Sequence, residues 1–484
     1  MLRLTDQEIE AIALKIAGSA PSAVAPRKSR PASTPGASSA ADHELGIFPT
    51  VDEAVNAARM AQISWVALPL AKRRHIIAAI RGVMLENETV LAKAAAEETG
   101  IGRWRDKVIK NRLVTEKTPG IEDLAPISYT GDHGFTLIEP APFGVIGAIT
   151  PSTNPTSTVI CNSIGMIAAG NTVVFNVHPS AKSCCAQNIV LINKTVIANG
   201  GPANVVNGVA SPTIATAQEL MRHPRINLLV VTGGPAVVKA AQGAGKRAIC
   251  AGPGNPPAVV DETADIEKAA FGIATAAAFD NNLICIEEKE VVVVDSVADR
   301  LLSEMAKHDC YVLSKEEMGR LEKVIFAETR GPRRKAKMNP KFIGKDASLI
   351  LREIGLNVPD SVKLAVADVN EDHPLLWTEQ LMPVLPVTRA PNADYAIDLA
   401  IAMEAGNRHT AVMWSKNIDN LSRMARECDC SIFVKNGMSH AGLGLGGEGY
   451  CSFTISSPTG EGLTGPRSFS RWRRCTLVDS FRIT

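Results

Sequence analysis

The chain has 484 residues, with 51 Lys and Arg, 50 Asp and Glu, and a formal charge of +1. Hydrophobic residues make up 45% and charged residues 21%, a globular balance that excludes whole-chain disorder, and near-neutrality excludes a global pull toward nucleic acid or anionic membranes. Ten cysteines at this length exclude a disulfide scaffold and fit free thiols in a reducing compartment.

Residues 1–18 encode a short amphipathic helix. Thr5 and Glu8 have capping-box spacing, Leu4 and Ile9 take the two staple positions, and Gly18 is a natural stop. Ile9, Ile12, Ala13 and Ile16 line one face. The acids Asp6, Glu8 and Glu10 argue against a mitochondrial presequence, and no secretory signal or 18-residue apolar run is present. Residues 19–41 are rich in Ala, Ser and Pro and contain three basic residues but no acid, the composition of a flexible linker. A helix this short is marginal alone and needs a partner surface. It either docks on its own globular body or serves as a docking tag, and the long linker favours the tag.

From Asp42 the pattern is globular. Asp52–Gln62 and Leu70–Glu88 read as helices, and residues 135–139 as a strand. Then strands and helices alternate: strand 144–149, helix Asn162–Ala169, strand Asn171–Asn176, helix Ala181–Ala198, strand Ala203–Asn207, helix Ala215–Arg222, strand Asn227–Thr232 and helix Pro235–Ala241. This order predicts an α/β fold with a parallel sheet wound on both faces. A second alternating stretch begins near Asp265, with helix Ile266–Ala278, strand Glu290–Val294 and helix Ala298–Lys307.

Gly444, Gly446 and Gly449 match G-x-G-x-x-G, but the following Tyr450–Ile455 reads as a strand. A dinucleotide fingerprint must open a helix, so a glycine-rich turn is the better reading. Thr232-Gly233-Gly234 is better placed, because it follows a strand and opens a helix whose backbone N–H groups suit a phosphate. Cys285 lies between an Ala-rich helix and a Val-rich strand, beside Asn281 and Asn282. A loop thiol there is either an activated nucleophile or a buried structural cysteine. No cysteine spacing supports a metal site. The basic loop from Arg330 to Lys345 is either a solvated surface or a contact for a polyanion such as coenzyme A. The basic stretch Arg467–Arg474 suits a subunit contact.

Over residues 45–484 these pieces, in this order, resemble the aldehyde dehydrogenase superfamily. Thr150, Pro151, Ser152 and Asn154 lie in a stretch similar to its Asn-Pro loop, and His178-Pro179-Ser180 resembles its Lys-Pro-Ser adenosine site with His for Lys. Thr232, Gly233 and Gly234 resemble its phosphate turn, Cys285 its nucleophile, and Glu379 the glutamate that holds the nicotinamide ribose. Residues 446–474 and the tethered first helix further resemble the CoA-acylating propionaldehyde dehydrogenases of propanediol-utilisation microcompartments, and their acetaldehyde relatives from ethanolamine compartments. Hydrolytic relatives carry a general-base glutamate 34 residues before the nucleophile. Here Ala251 takes that place, and it cannot activate water.

The resemblance implies a Rossmann-type cofactor domain, an α/β catalytic domain and a small oligomerisation segment. The expected divisions are a 1–18 encapsulation-type helix, a 19–41 linker, 42–264 for NAD binding (130–142 in an oligomerisation hairpin), 265–445 for catalysis and 446–484 for the C-terminal return. It implies oxidation of a short aliphatic aldehyde, propionaldehyde favoured over acetaldehyde, with NAD and CoA. Cys285 attacks the carbonyl, while Asn154 and the Cys285 N–H hold the alkoxide. NAD is expected over NADP because His178 offers no lysine for a 2′-phosphate, although Lys182 is nearby. The expected setting is a homo-oligomer, dimer or tetramer, in the cytoplasm inside a bacterial microcompartment. Residues 1–18 would meet shell or core proteins there, with no nucleic-acid, membrane or metal partner. A hydrolytic, acid-forming dehydrogenase and a non-catalytic scaffold of the same fold remain as alternatives.

Overall fold

Six parallel strands make the first sheet of the computed structural model, which describes residues 45–483. In space they run Ile47–Phe48, Val206–Val209, Thr172–Asn176, Val145–Ile149, Leu228–Thr232, Ala248–Ala251. The strands Val145–Ile149 and Thr172–Asn176 are buried throughout, which is why they read as unbroken apolar runs rather than alternating ones. Helices cover both faces. Leu70–Glu86, Pro155–Ala168 and Lys182–Ala198 pack one side through Ile76, Ile80, Ile160, Ile164, Cys185 and Ile189. Val51–Ala67, Ile214–Arg222 and Pro235–Gln242 pack the other through Val51, Val55, Leu220 and Val238. The helix and linker read at residues 1–41 lie outside the described residues.

A second sheet of seven parallel strands runs Cys310–Leu313, Leu364–Asp368, Val384–Ala390, Glu290–Val294, Pro257–Val260, Thr410–Trp414, Ile432–Lys435. The chain crosses between the sheets at 252–256. The expected division at 264/265 therefore falls late, because Pro257–Val260 pairs with Glu290–Val294 in the second sheet. A third, antiparallel sheet joins Ile127–Gly131, Gly134–Pro142 and Ser470–Val478. The hairpin expected at 130–142 begins three residues earlier, and the basic stretch near Arg467–Arg474 supplies part of its third strand.

Three local readings change. The helix expected at Asn162 starts at Pro155, because Pro is preorganised for the first helical position and polar Thr156, Ser157 and Thr158 are buried there. The strand expected at Ala203–Asn207 forms at Val206–Val209. The strand expected at Tyr450–Ile455 is irregular, with only Ile455–Ser456 paired to Gly462–Leu463. No helix follows Gly449 either. Lys117 holds that glycine loop by donating to the carbonyls of Gly444 and Gly447, at 2.5 and 3.4 Å. Among the described residues, no helix is long and apolar enough to cross a membrane.

Candidate active site

In the first sheet the chain runs outward from Val145–Ile149 through Thr172–Asn176 to Val206–Val209, then returns to the other side at Leu228–Thr232. The order reverses between Val145–Ile149 and Leu228–Thr232, which are paired with Ile149 opposite Val231. Ligands of open α/β sheets bind outside the strand C-termini at such a reversal. Thr150, Pro151 and Ser152 leave one of these strands, and Thr232, Gly233 and Gly234 leave the other. The hydroxyls of Thr150 and Thr232 are buried with no partner among the described residues. Two orphaned hydroxyls at one crevice fit a polar ligand. Gly234 caps the helix Pro235–Gln242, and a Cβ there would meet nothing within 4 Å. The turn is thus open for a phosphate at the helix start. Thr150, Thr232, Gly233 and Gly234 together offer the unpartnered hydroxyls and the open helix start that a nucleotide phosphate needs.

His178 lies one strand over, after Thr172–Asn176. It is exposed, and its Nδ1 accepts from the Ser180 N–H at 3.2 Å. Sequence reading missed Glu98. Its carboxylate accepts from the N–H groups of Ser183 and Cys184 at 2.8 and 2.7 Å, capping the helix that follows His178.

The loop carrying Cys285 is built from an uncommon backbone. Asp280, Asn281 and Asn282 have φ of 43°, 60° and 61° in succession, a left-handed run that Asp and Asn tolerate better than other side chains. Each is tied down. Asn281 donates to the Gly344 carbonyl at 2.8 Å, and Asn282 to those of Ala277 and Glu288 at 2.9 and 3.0 Å. Lys289, fully buried, points its ammonium back into the loop at Asn282 O, Asn282 Oδ1 and Ile284 O, at 2.6, 2.5 and 3.2 Å. Glu287 accepts from the Ile284 N–H at 3.0 Å, and Glu288 from Ser439 N and Oγ at 3.0 and 2.8 Å. Four successive charged residues, Glu287 to Glu290, are thus inside the protein. Rigidity of this kind costs buried charge and fixes the nucleophile loop.

Cys285 is partly exposed, alone in a stretch that is otherwise buried from Asn281 to Val293. Its surroundings push the thiol up to about 12 through burial first and the Glu379 carboxylate second, against the Lys289 ammonium. Glu379 accepts from the Gly254 N–H at 3.4 Å, and its own carboxyl is raised by burial. Glu379 and Cys285 therefore both flank Gly254. Leu381, two residues on, holds φ of 51°, a strained value for a bulky side chain. A Cβ on Gly254 would meet the buried imidazole of His409, which burial and the Lys289 charge hold neutral, with its pKa lowered to about 4. Neither Gly254 nor His409 stood out in the sequence.

Asn154 reaches this loop through a buried cluster. Its Oδ1 accepts from the Lys110 ammonium at 2.7 Å, and its Nδ2 donates to Thr153 Oγ1 at 3.1 Å. Lys110 also donates to Asp280, five residues before Cys285. Lys107 donates to the same Asp280 oxygen at 3.0 Å. Ala251 ends the edge strand beside Thr232, accepts from the Gly233 N–H at 3.1 Å, and is buried. The chain then turns through Gly252 and Pro253 to Gly254, against Cys285. In the basic loop, Arg333 is bound by Asp372 and Glu371 and Lys341 by Glu353. Burial raises the Glu379 carboxyl, and the charge of Lys335 in this loop opposes that only weakly.

Residues 40–312 match the aldehyde dehydrogenase family. The chain is similar to an acetaldehyde dehydrogenase (acetylating) of Bilophila wadsworthia, 51% identical over 448 residues, or 91% of this chain and 92% of that one. It is also similar to the crystal structure of Rhodopseudomonas palustris propionaldehyde dehydrogenase with bound CoA and an acylated cysteine. The identity there is 47% and the TM-score 0.88, covering 91% of this chain and 99% of that one. A propionaldehyde dehydrogenase from the fucose utilisation bacterial microcompartment of Clostridium phytofermentans is 45% identical with a TM-score of 0.88, covering 91% of this chain and all of that one. More than half of this sequence matches the family, and the Bilophila relative is 51% identical over 91% of this chain: the chain belongs to the aldehyde dehydrogenase family.

Proposed function

We propose that the protein is a CoA-acylating aldehyde dehydrogenase that converts a two- or three-carbon aldehyde to its acyl-CoA. The observation that carries this reading is the pairing of Cys285 in a rigid loop with Ala251 at the place of the hydrolytic base. The Cys285 thiol gives up its proton to solvent, the thiolate adds to the aldehyde carbonyl carbon, and the C=O π electrons move to oxygen. The alkoxide is held by Asn154 Nδ2 and the Cys285 N–H, and such a donor is typically worth about 3 kcal/mol. Collapse of the alkoxide expels hydride and leaves a thioester on Cys285. NAD, when bound in the crevice, supplies the hydride acceptor. With no carboxylate at Ala251 to activate water, the thioester waits for a thiol. CoA attacks as thiolate, the C–S bond to Cys285 breaks, and the acyl group leaves as acyl-CoA. The steps are reversible.

Glu98, beside the turn after His178, favours NAD over NADP, because a carboxylate opposes a 2′-phosphate. The similar proteins named above act on acetaldehyde or propionaldehyde. One methylene is worth only ~1–3 kcal/mol of discrimination, so both substrates belong in the test.

NADH formation is measured with each aldehyde, with and without CoA, and the products are analysed. CoA-dependent NADH formation with an acyl-CoA product is expected. Equal rates without CoA, yielding free acid, would support a hydrolytic enzyme instead. Cys285→Ala should abolish aldehyde-dependent NADH formation while the chain stays folded, and retained turnover would point away from Cys285. The microcompartment setting rests on residues 1–18 and on the source of the Clostridium relative. Deleting residues 1–18 should leave solution activity intact and abolish association with shell or core proteins.

A further inference from the structure

We propose that Lys110 is a positioning residue for the aldehyde step, acting through Asn154. The inference rests on the assignment of Asn154 as the alkoxide donor. An asparagine amide carries an acceptor at one end and two donors at the other, and the wrong end toward the substrate would repel an alkoxide. Lys110 fixes which end faces where. An ammonium only donates, so the amide atom 2.7 Å from Lys110 Nζ must be Oδ1. Nδ2 is thereby turned away, with one N–H on Thr153 Oγ1 at 3.1 Å and the other available.

The ammonium is itself immobilised. Its acceptors are Asn154 Oδ1, the Thr153 carbonyl at 3.3 Å and Asp280, one for each of its three N–H bonds. Lys110 is 2% exposed and Asp280 fully buried. Asp280 is further anchored through the Arg103 N–H at 2.6 Å, and its own N–H donates to Asp106 at 2.9 Å. The Lys110 stem comes from the helix Trp104–Lys117, which packs on Pro155–Ala168, the helix that Asn154 caps. One buried cation thus links the alkoxide donor to the turn that presents the nucleophile, so the two halves of the site keep a fixed register.

The test is a double-mutant cycle on the full chain. Lys110→Met keeps the apolar stem and removes the donor. Aldehyde-dependent kcat should fall by about 100-fold, with KM moved far less, because the contact matters only once the alkoxide forms. Asn154→Ala should fall at least as far, and the Lys110→Met/Asn154→Ala double variant should be no slower than Asn154→Ala alone. Lys110→Gln, which can still donate to Oδ1, should recover at least about tenfold of the loss. Iodoacetamide alkylation of Cys285 needs no alkoxide and should be unchanged in Lys110→Met.

Losses that multiply in the double variant, or a Lys110→Met enzyme within about threefold of the parent kcat, would overturn the proposal. So would alkylation slowed in step with turnover, which marks a collapsed loop. If Lys110→Met does not fold, Lys110→Gln against Asn154→Ala gives the same cycle with smaller amplitude. An Asn154→Ala enzyme with full activity would instead remove the reading of Asn154 itself, whatever Lys110 does.

Discussion

A Cβ at Gly254 would stand 2.5 Å from the carbonyl oxygen of Cys285 and 3.0 Å from the His409 ring. The crossing between the two sheets therefore runs directly beneath the nucleophile, and only a glycine lets it pass. Gly254→Ala should displace the loop and loosen the Glu379 contact to the Gly254 N–H. We expect a stability loss of about 1–3 kcal/mol from overpacking and a fall in kcat of about 100-fold from the misplaced thiol. Thermal unfolding and steady-state kinetics check this. Near-parent values for both would mean that the loop can yield.

The Cys285 thiol, raised to about 12 by burial and the Glu379 carboxylate, is protonated in the free enzyme at neutral pH. Thiolate is the reactive form, so alkylation by iodoacetamide should quicken roughly tenfold per pH unit from pH 7 to 10 with no plateau. A plateau below about pH 9 would show that Lys289 outweighs both carboxylate and burial. Glu379→Gln removes the second cause and should move the profile to lower pH.

Ala251→Glu places a carboxyl at the end of the strand beside Thr232, three residues from Gly254. The site is buried, so the new carboxyl should titrate high enough to act as a base. We expect CoA-independent NADH formation to rise at least about tenfold, with free acid as the product. An unchanged product ratio would place the hydrolytic base elsewhere.

These groups were unequally legible. Helix Ile266–Ala278 and strand Glu290–Val294 follow from runs of Ala and Val whose burial is uniform. The cofactor turn at Thr232 is also plain, since a glycine pair between strand and helix has few other uses. Glu287 to Glu290 are the opposite case. Four consecutive charges signal a solvated surface, and only the packing of Ser439, His440 and Asn255 around them reverses that. Lys110 is 44 residues from Asn154 and 170 from Asp280, and no local pattern relates the three. Pairings set by tertiary approach leave no periodic trace.

Lys107 gives a stability test of the same cluster. It is 1% exposed and shares Asp280 with Lys110. Burial first, then the Lys110 charge, lowers its pKa to about 8, and Asp280 only partly offsets them. An unfolded lysine titrates near 10.4. Below pH 8 both states are protonated and the folded state bears the full cost of the buried charge. Between pH 8 and about 10.4 the folded state sheds the proton first, so the unfolded state binds more protons and stability rises with pH. At about 1.4 kcal/mol per unit, the recovery is on the order of 3 kcal/mol. Lys107→Met keeps the stem volume and removes the titration. Its stability relative to the parent should therefore be greatest at pH 7 and shrink toward pH 10, as read from guanidinium unfolding at both values. A gap that stays constant or widens with pH would mean that Asp280 holds Lys107 charged throughout.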